Sequence, residues 1–448
     1  MIKKKIIFFL ATILVTSCSF DDKTGIWSGS EKEKKKISEI ENEQKQIIDT
    51  YTVYSSQETI LNEKHLVKKI VLSKPKKVSS WKMSGLNNQN YLGNIYLPNI
   101  NNIFLKKKIG KDKFSTSKNI TSLLASNNNI IFSDDTGTIF NIFIDGKVNW
   151  KTNIYKKTYK KIYKNLSFII YKKNIYIADN IGFIYAINLN NGKVDWIKNY
   201  GIPLKSKIKI YDNKIFLTDQ DNKIICLNIN NGSKIWDILS ISSFIKSQNL
   251  LSLAVSSEGD LFSINSAADL SKIKTKNGDI YWSRNTSDSL YANETDFFRS
   301  SDIVIDDTEI IFSTGTSIFS FNKNSGILNW EKKISSISAP IVDKKNIFFI
   351  TENGYFIILT KDTGEIISST NILKILKRKK QKTKIAGFIM GSGKIYATTL
   401  NGYLIVSSAF TGKVENFRKI GDPITSAPII ANGKLFILTE NSRILGFN

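Results

Sequence analysis

A short motif that recurs along the chain constrains its fold more than any other feature. In its clearest copies a turn rich in Asn and Gly is followed, four residues after the glycine, by tryptophan. The five pairs with this spacing are Gly146 and Trp150, Gly192 and Trp196, Gly232 and Trp236, Gly278 and Trp282, and Gly326 and Trp330. Two further copies, at Gly364 and Gly412, keep the glycine without the tryptophan. Successive glycines are 38 to 48 residues apart, so the chain is an array of seven similar units.

Short segments rich in β-branched residues precede each of these turns. Examples are Asn174-Ile-Tyr-Ile-Ala and Lys394-Ile-Tyr-Ala-Thr. Apolar runs of this length, punctuated by Gly and Asn, are typical of hairpin strands because those two residues tolerate a positive φ. One unit therefore predicts a four-stranded meander, which is the size of a propeller blade, and each Trp is expected to pack against the next blade.

The end of the array predicts how the ring closes. An eighth unit starts at Lys434 and stops at Asn448, before its outer strand. The missing strand can come from the segment that starts at Trp81, so that both ends of the chain share one blade. The prediction is an all-β fold: an eight-bladed β-propeller of four-stranded antiparallel blades over residues 81–448, preceded by a signal peptide and a flexible tether.

The N-terminus carries export and anchoring signals. Three lysines, Lys3 to Lys5, precede an apolar run from Ile6 to Val15, which is too short to span a membrane and predicts a signal peptide over residues 1–17. Val15-Thr16-Ser17-Cys18 resembles a bacterial lipobox, so Cys18 is predicted to carry fatty acids such as palmitate, which anchor a protein without a spanning helix. Because Ser19 is not the Asp that commonly retains lipoproteins at the inner membrane, we expect the periplasmic face of the outer membrane. Residues 18–80 are rich in charge and predict a lipid-anchored, solvated tether.

Composition argues against several kinds of chemistry. One His and two Cys cannot build a multi-His or four-cysteine metal site. The formal net charge is +25, but only five of the 64 basic residues are Arg, the side chain that reads guanine and forks onto phosphate. We therefore expect no metal, no cofactor and no nucleic-acid partner, and we interpret the lysines as compositional bias.

One copy of the repeat also carries a family resemblance. Ala186-x-Asn188-x-x-Asn191-Gly192-x-x-x-Trp196 resembles the Ala-x-Asp-x-x-Thr-Gly-x-x-x-Trp motif of the pyrroloquinoline-quinone-type propellers. Eight such units behind a lipobox are similar to the BamB family of lipoproteins in the outer-membrane β-barrel assembly (BAM) complex. The resemblance implies a non-enzymatic scaffold, monomeric within a hetero-oligomeric complex, that binds the POTRA domains of BamA and supports folding and insertion of outer-membrane proteins.

The resemblance also implies, by position along the repeats, which loops contact the partner. They span residues 240–248 and 290–299. The candidate residues in them are Ile241, Phe244, Ile245, Lys246, Asp296 and Arg299. A basic run over residues 374–384 either meets anionic lipid or an acidic partner, or is a solvated loop.

Two other functions remain open from the sequence. One is a periplasmic quinoprotein-like oxidoreductase, although the chain lacks the adjacent Cys-Cys pair of those dehydrogenases. Asp219-Gln-Asp221-Asn222 looks like a calcium loop but lacks its Gly and distal Glu, and is interpreted as a turn between strands. The other is a propeller that binds an envelope component without a role in assembly.

Overall fold

The computed structural model describes residues 63–64, 68–114, 123–239, 250–286, 298–376 and 383–448. The predicted signal peptide, Cys18 and most of the predicted tether lie outside these ranges. Within them, no helix is both long enough and apolar enough to cross a membrane. The described part is all-β apart from two short 3₁₀ turns, Lys157–Tyr159 and Ile372–Ile375.

The strands form eight antiparallel sheets of four, which confirms the eight-bladed propeller. Blade 1 contains β2 (Leu124–Ser126), β3 (Asn129–Ser133), β4 (Ile139–Phe143) and β5 (Val148–Thr152), and blade 2 contains β6 (Leu166–Tyr171), β7 (Asn174–Asp179), β8 (Phe183–Asn188) and β9 (Val194–Asn199). Blade 3 contains β10 (Lys209–Tyr211), β11 (Lys214–Thr218), β12 (Lys223–Asn228) and β13 (Lys234–Leu239), and blade 4 contains β14 (Leu253–Val255), β15 (Asp260–Ile264), β16 (Asp269–Lys274) and β17 (Ile280–Asn285). Blade 5 contains β18 (Val304–Ile305), β19 (Glu309–Ser313), β20 (Ile318–Asn322) and β21 (Leu328–Lys332), and blade 6 contains β22 (Ile341–Asp343), β23 (Asn346–Ile350), β24 (Tyr355–Thr360) and β25 (Ile366–Asn371). Blade 7 contains β26 (Ile385–Gly391), β27 (Lys394–Thr399), β28 (Tyr403–Ser408) and β29 (Val414–Lys419).

Blade 8 joins the two ends of the chain. It contains β30 (Ile429–Ala431), β31 (Lys434–Leu438) and β32 (Arg443–Phe447), and its outer strand is β1 (Ile103–Lys108), which pairs antiparallel with β32. The prediction that an N-terminal strand completes the last blade is thus confirmed. The closing strand starts at Ile103, so the residues that follow Trp81 are available for another role.

The repeat tryptophans join neighbouring blades, as expected. Each indole N–H donates to a backbone carbonyl of the following blade: Trp150 to Leu189, Trp196 to Ile229, Trp236 to Thr275, Trp282 to Asn324 and Trp330 to Lys361, at 2.7 to 3.3 Å. Each ring also lies against the repeat glycine of that blade. At Gly232, φ is +67° and a Cβ would lie 2.5 Å from the Trp196 ring, so both the backbone and the contact require glycine there.

Burial decreases from the axis to the rim of each blade. All six residues of β7 are buried, whereas none of the residues of β9, the outer strand of the same blade, is. The three inner strands lie between two neighbouring sheets, and the outer strand has one edge in solvent. Cys226 in β12 is fully buried, which raises the pKa of its thiol to about 12, so it packs as a small hydrophobic residue.

Candidate functional site

The two ends of the ring differ in which parts of the chain they carry. In every blade the innermost strand comes first in the meander, so all eight innermost strands end at the same end of the ring. We call this the collar end. At the opposite end, which we call the connection end, the chain passes from the outer strand of one blade to the innermost strand of the next.

The collar consists of residues 73–97, which pass across the mouth of the ring at the collar end. Its backbone forms bridges with the innermost strands of three blades: Trp81 with Ala125, Met83 with Ile169, and Ile95 with Gly391. Further backbone bonds reach blades 4, 5 and 8, from Val255 N to Asn88 O, from Ile305 N to Gln89 O, and from Asn432 N to Val78 O, at 2.7 to 2.9 Å. Innermost strands are edge strands, and their unpaired backbone groups require partners when they are buried.

Side chains complete the contact with the two remaining blades. The Asn88 amide donates to the carbonyl of Ile210 in blade 3 at 2.8 Å. Ser73 N–H and its hydroxyl donate to the Asp343 carboxylate of blade 6 at 2.8 and 2.5 Å. The collar therefore contacts the innermost strand or the turn after it in every blade, and it lies across this mouth of the ring.

The segment that leads into the collar is folded against the propeller, which the sequence does not predict. The sequence predicts a solvated tether up to residue 80, but the structure places the described residues 68–80 against the propeller, with Ile70 only 4% exposed. The collar as a whole has no strand periodicity because it makes isolated contacts with the innermost strands of different blades and does not pair along any one of them. Trp81 was the available signal, as it is a buried Trp outside the repeat motif.

A buried polar cluster lies where the collar meets blades 3, 4 and 5. The Lys209 ammonium, fully buried, donates to the Asn90 side-chain oxygen at 2.6 Å and to the Asn87 carbonyl at 3.1 Å. Asn90 in turn donates to the carbonyls of Leu253 and Ile303 at 3.2 and 2.8 Å. One amide thus joins three blades, and its loss would leave several buried groups without partners.

Burial lowers the pKa of Lys209 to about 7; nearby Asp302 opposes this shift and nearby Lys207 adds to it. Lys207 pairs with Asp302 at 2.5 Å, joining blades 3 and 5. Burial alone would raise the pKa of Asp302, but the Lys207 ammonium holds it below the ordinary value. Lys209 therefore contacts the collar through Asn90 and is also influenced by the charges of Lys207 and Asp302.

We expect Lys209 to make stability depend on pH in the alkaline range. Because its pKa is about 7 in the folded chain and 10.5 when solvated, the unfolded state binds more protons between these values, and stability rises with pH there. The quantity to follow is the free energy of unfolding of the native chain minus that of the Lys209→Met variant. This difference should rise by up to about 1.4 kcal/mol per pH unit between about pH 7.5 and 9.5. Urea unfolding of both proteins at several pH values measures this, and parallel pH curves would contradict it.

Of the predicted partner residues, the described ranges include only Arg299; Ile241, Phe244, Ile245, Lys246 and Asp296 lie outside them. Arg299 lies at the connection end, between blades 4 and 5. Its guanidinium is 3.7 Å from the Glu352 carboxylate of blade 6, and Lys384, before blade 7, contacts the same carboxylate at 2.7 Å. The structure therefore places Arg299 and the last residue of the predicted basic run in one charged cluster.

Two other candidate segments have ordinary structural roles where they are described. In the basic run, Lys374 pairs with Glu63 at 3.0 Å, while residues 377–382 lie outside the described ranges. Asp219 accepts the backbone N–H groups of Asp221 and Lys223 at 2.9 and 3.0 Å, so its carboxylate stabilises the β11–β12 turn, as predicted. No group of three His, Cys, Asp or Glu residues in the described part of the chain is placed to hold a metal ion.

Solved structures share this fold at low sequence identity. BamB from Moraxella catarrhalis superposes with a TM-score of 0.63 and 11% identity, covering 77% of this chain and 100% of that one. A europium-containing methanol dehydrogenase gives 0.63 and 10%, covering 82% and 91%. The quinohemoprotein alcohol dehydrogenase from Comamonas testosteroni gives 0.65 and 9%, covering 82% and 80%. At these identities the likeness shows the fold alone.

The sequence comparison is more specific than the structural one. No curated protein matches the chain. The family model described as outer membrane protein assembly factor BamB matches residues 145–370, just over half of the 448 residues. This range runs from the last turn of blade 1 to the outer strand of blade 6. The chain therefore belongs to the BamB family of outer membrane protein assembly factors.

Proposed function

We propose that this chain is a non-catalytic scaffold of the BAM complex, which binds the POTRA domains of a BamA-like barrel protein and supports folding and insertion of outer-membrane proteins. The observation that carries the proposal is the family match over residues 145–370. That range contains both connections, 240–248 and 290–299, in which the partner residues are predicted.

The geometry of the two ends supports this assignment of the partner surface. The collar covers one end of the ring, so the connection end is the one that presents inter-blade loops to a partner. Loops held on a rigid array of strands are suited to specific binding. Arg299 is held there by Glu352 and is exposed enough to meet an acidic group, since its side chain is 52% accessible.

The proposed location follows from the N-terminal sequence. Cys18 carries the lipid, and the ring stands on the periplasmic side of the outer membrane, monomeric within the complex. The described part of the chain begins beside the outer edge of blade 6, where Lys64 pairs with Ser369 of β25 through two backbone bonds of 3.0 Å.

The second candidate is a quinoprotein-like oxidoreductase. The observation in its favour is that two dehydrogenase structures share the fold of this chain. A quinone bound at the collar end of the axis does not fit the residues present. The collar lies across that mouth, and the Lys209 ammonium and the Asn90 amide form hydrogen bonds with the chain itself. We therefore favour the scaffold and derive no redox step.

Crosslinking and affinity purification from native membranes test the proposal. We expect a BamA-like barrel protein to be recovered, and Arg299→Glu to reduce its recovery about tenfold, as charge reversal at an interface costs on the order of 1–2 kcal/mol. Arg418→Glu, on the outer strand of blade 7, is the matched control and should leave recovery unchanged. Failure to recover any such barrel protein with the native chain would contradict the scaffold, and quinone absorbance in the purified protein would favour the oxidoreductase.

A further inference from the structure

A basic cavity lies at the collar end of blade 6, between the blade and the segment that leads into the collar. Its volume is about 670 Å³. Lys68, Lys69 and Val71 form one wall, and Lys344 and Lys345 contribute to the other. A cavity of this size is within the range of small-ligand sites.

The segment that forms the first wall is fixed in place by polar contacts with the blade. The Asn346 amide donates to the Val71 carbonyl at 3.3 Å, and Ser73 donates to the Asp343 carboxylate at the end of β22. Asp343 and Asn346 flank the Lys344-Lys345 turn in sequence. The contacts that hold the segment thus also fix the backbone on both sides of the cavity from which the two pairs of lysines extend.

Charge in the cavity is strongly unbalanced. Four lysines line it against one acidic residue, Asp362. Lys68 pairs with Glu365 at 3.1 Å, a contact that lowers the pKa of the Glu365 carboxyl. Lys69, Lys344 and Lys345 form no ion pair with any described residue. An excess of ammonium groups over carboxylates around one cavity favours a multiply charged anion, and phosphate oxygens are strong acceptors for ammonium groups.

The cavity also offers apolar surface beside the amines. Val71 is 53% exposed and supplies most of this surface, and Ile367 of β25, itself only 4% exposed, lies at the edge of the lining. Lysine stems add further apolar area. A bare inorganic anion would leave this surface in water, whereas a phosphate ester with carbon next to the phosphate would cover it.

We propose that this cavity binds the phosphate group of an anionic phosphate ester, either in a lipid headgroup or in a soluble molecule. The four lysines bind the phosphate oxygens, and Val71 and Ile367 contact the adjoining carbon atoms. The inference is independent of the proposed role in barrel assembly, because it rests only on the lining of the cavity.

The chain contains a matched control for this proposal. The β6–β7 turn of blade 2, Lys172-Lys173, has the same two residues at the same place in the blade as Lys344-Lys345. The first lysine of each pair has nearly the same left-handed backbone, with φ of +52° and +51°. The blade 2 pair does not line the cavity, so substituting it removes the same charge from the same turn elsewhere on the collar end.

Binding by the full chain with Cys18→Ser, which excludes acylation, tests the proposal in two arms. One arm measures sedimentation with vesicles of phosphatidylglycerol and phosphatidylcholine, with pure phosphatidylcholine as reference, and the other measures calorimetric binding of glycerol 1-phosphate. We expect Lys344→Gln with Lys345→Gln to weaken binding about tenfold or more, since each lysine near an anionic surface contributes on the order of 1 kcal/mol. Lys172→Gln with Lys173→Gln should change it less than about twofold.

The two arms together identify the source of the phosphate and can refute the site. A loss confined to the vesicle arm supports a lipid headgroup, and a loss with glycerol 1-phosphate supports a soluble ester. Equal weakening by the two double variants would overturn the proposal, because it would indicate a diffuse basic surface. Absence of binding in both arms would overturn it as well.

Discussion

Trp330→Ala is expected to lower the free energy of unfolding by about 3–5 kcal/mol, the usual cost of removing a large aromatic side chain from a packed site. Trp330 is only 8% exposed, although it belongs to the outer strand of blade 5. Its indole N–H donates to the Lys361 carbonyl at 2.7 Å, and its ring lies on Gly364, where a Cβ would be 2.5 Å away. The substitution therefore removes both a hydrogen bond and the packing between blades 5 and 6.

Two companion variants make this prediction specific. Trp282→Ala, at the same position one blade earlier, should cost less, because the Trp282 indole is only partly buried. Gly364→Ala changes the other partner of the same contact and should also lower the free energy of unfolding. The new methyl group would collide with the Trp330 ring, and φ at this position is +64°. Urea unfolding gives the three values. A change below about 1 kcal/mol for Trp330→Ala would show that the Trp contact does not hold neighbouring blades together.

Chains shortened from the N-terminus are expected to separate the role of the collar from that of β1. A chain of residues 63–448 keeps every contact described above. A chain of residues 98–448 loses the collar and should unfold at lower urea concentration, because the edges of the innermost strands lose their partners. A chain of residues 109–448 also loses β1, and we expect it to lack a cooperative transition.

The chain of residues 109–448 should be affected most because of the position of β1 in blade 8. Leu105 of β1 is 4% exposed, and β1 pairs with β32 from Ile103 to Lys108. Without β1, β32 becomes an uncovered edge strand. Blade 8 and blade 1 are then joined only by the packing between them, and the ring is no longer closed by a shared blade. Circular dichroism and size-exclusion chromatography follow the loss, and a peptide of residues 98–114 added in trans should restore the transition. Equal cooperativity in the chains of residues 63–448 and 109–448 would contradict the closing role of β1.

The candidate site was predictable only in part. The repeat predicts that Arg299 lies in a connection between blades, and in the structure it lies between β17 and β18; its role in binding a partner stays a prediction. Its neighbours were not predictable, since Glu352 lies 53 residues away in sequence and Lys384 in the connection after blade 6. Charge clusters of this kind form between blades, where the sequence repeat carries no information about which side chains meet.

The sequence alone determined the architecture, because the features that specify a blade are local. Gly232 and its φ of +67°, Trp196 four residues after its own glycine, and the apolar runs of the short strands each act within one unit or between neighbours. Repetition of the unit then predicted the number of blades and an N-terminal strand to complete the last one, whereas the structure decided that this strand is β1, from Ile103 to Lys108. Only the tertiary structure decided the roles of the collar and the basic cavity. Asn90 and Lys209 are 119 residues apart, and Val71 and Asn346 are 275 apart, and contacts that distant leave no periodic pattern in the chain.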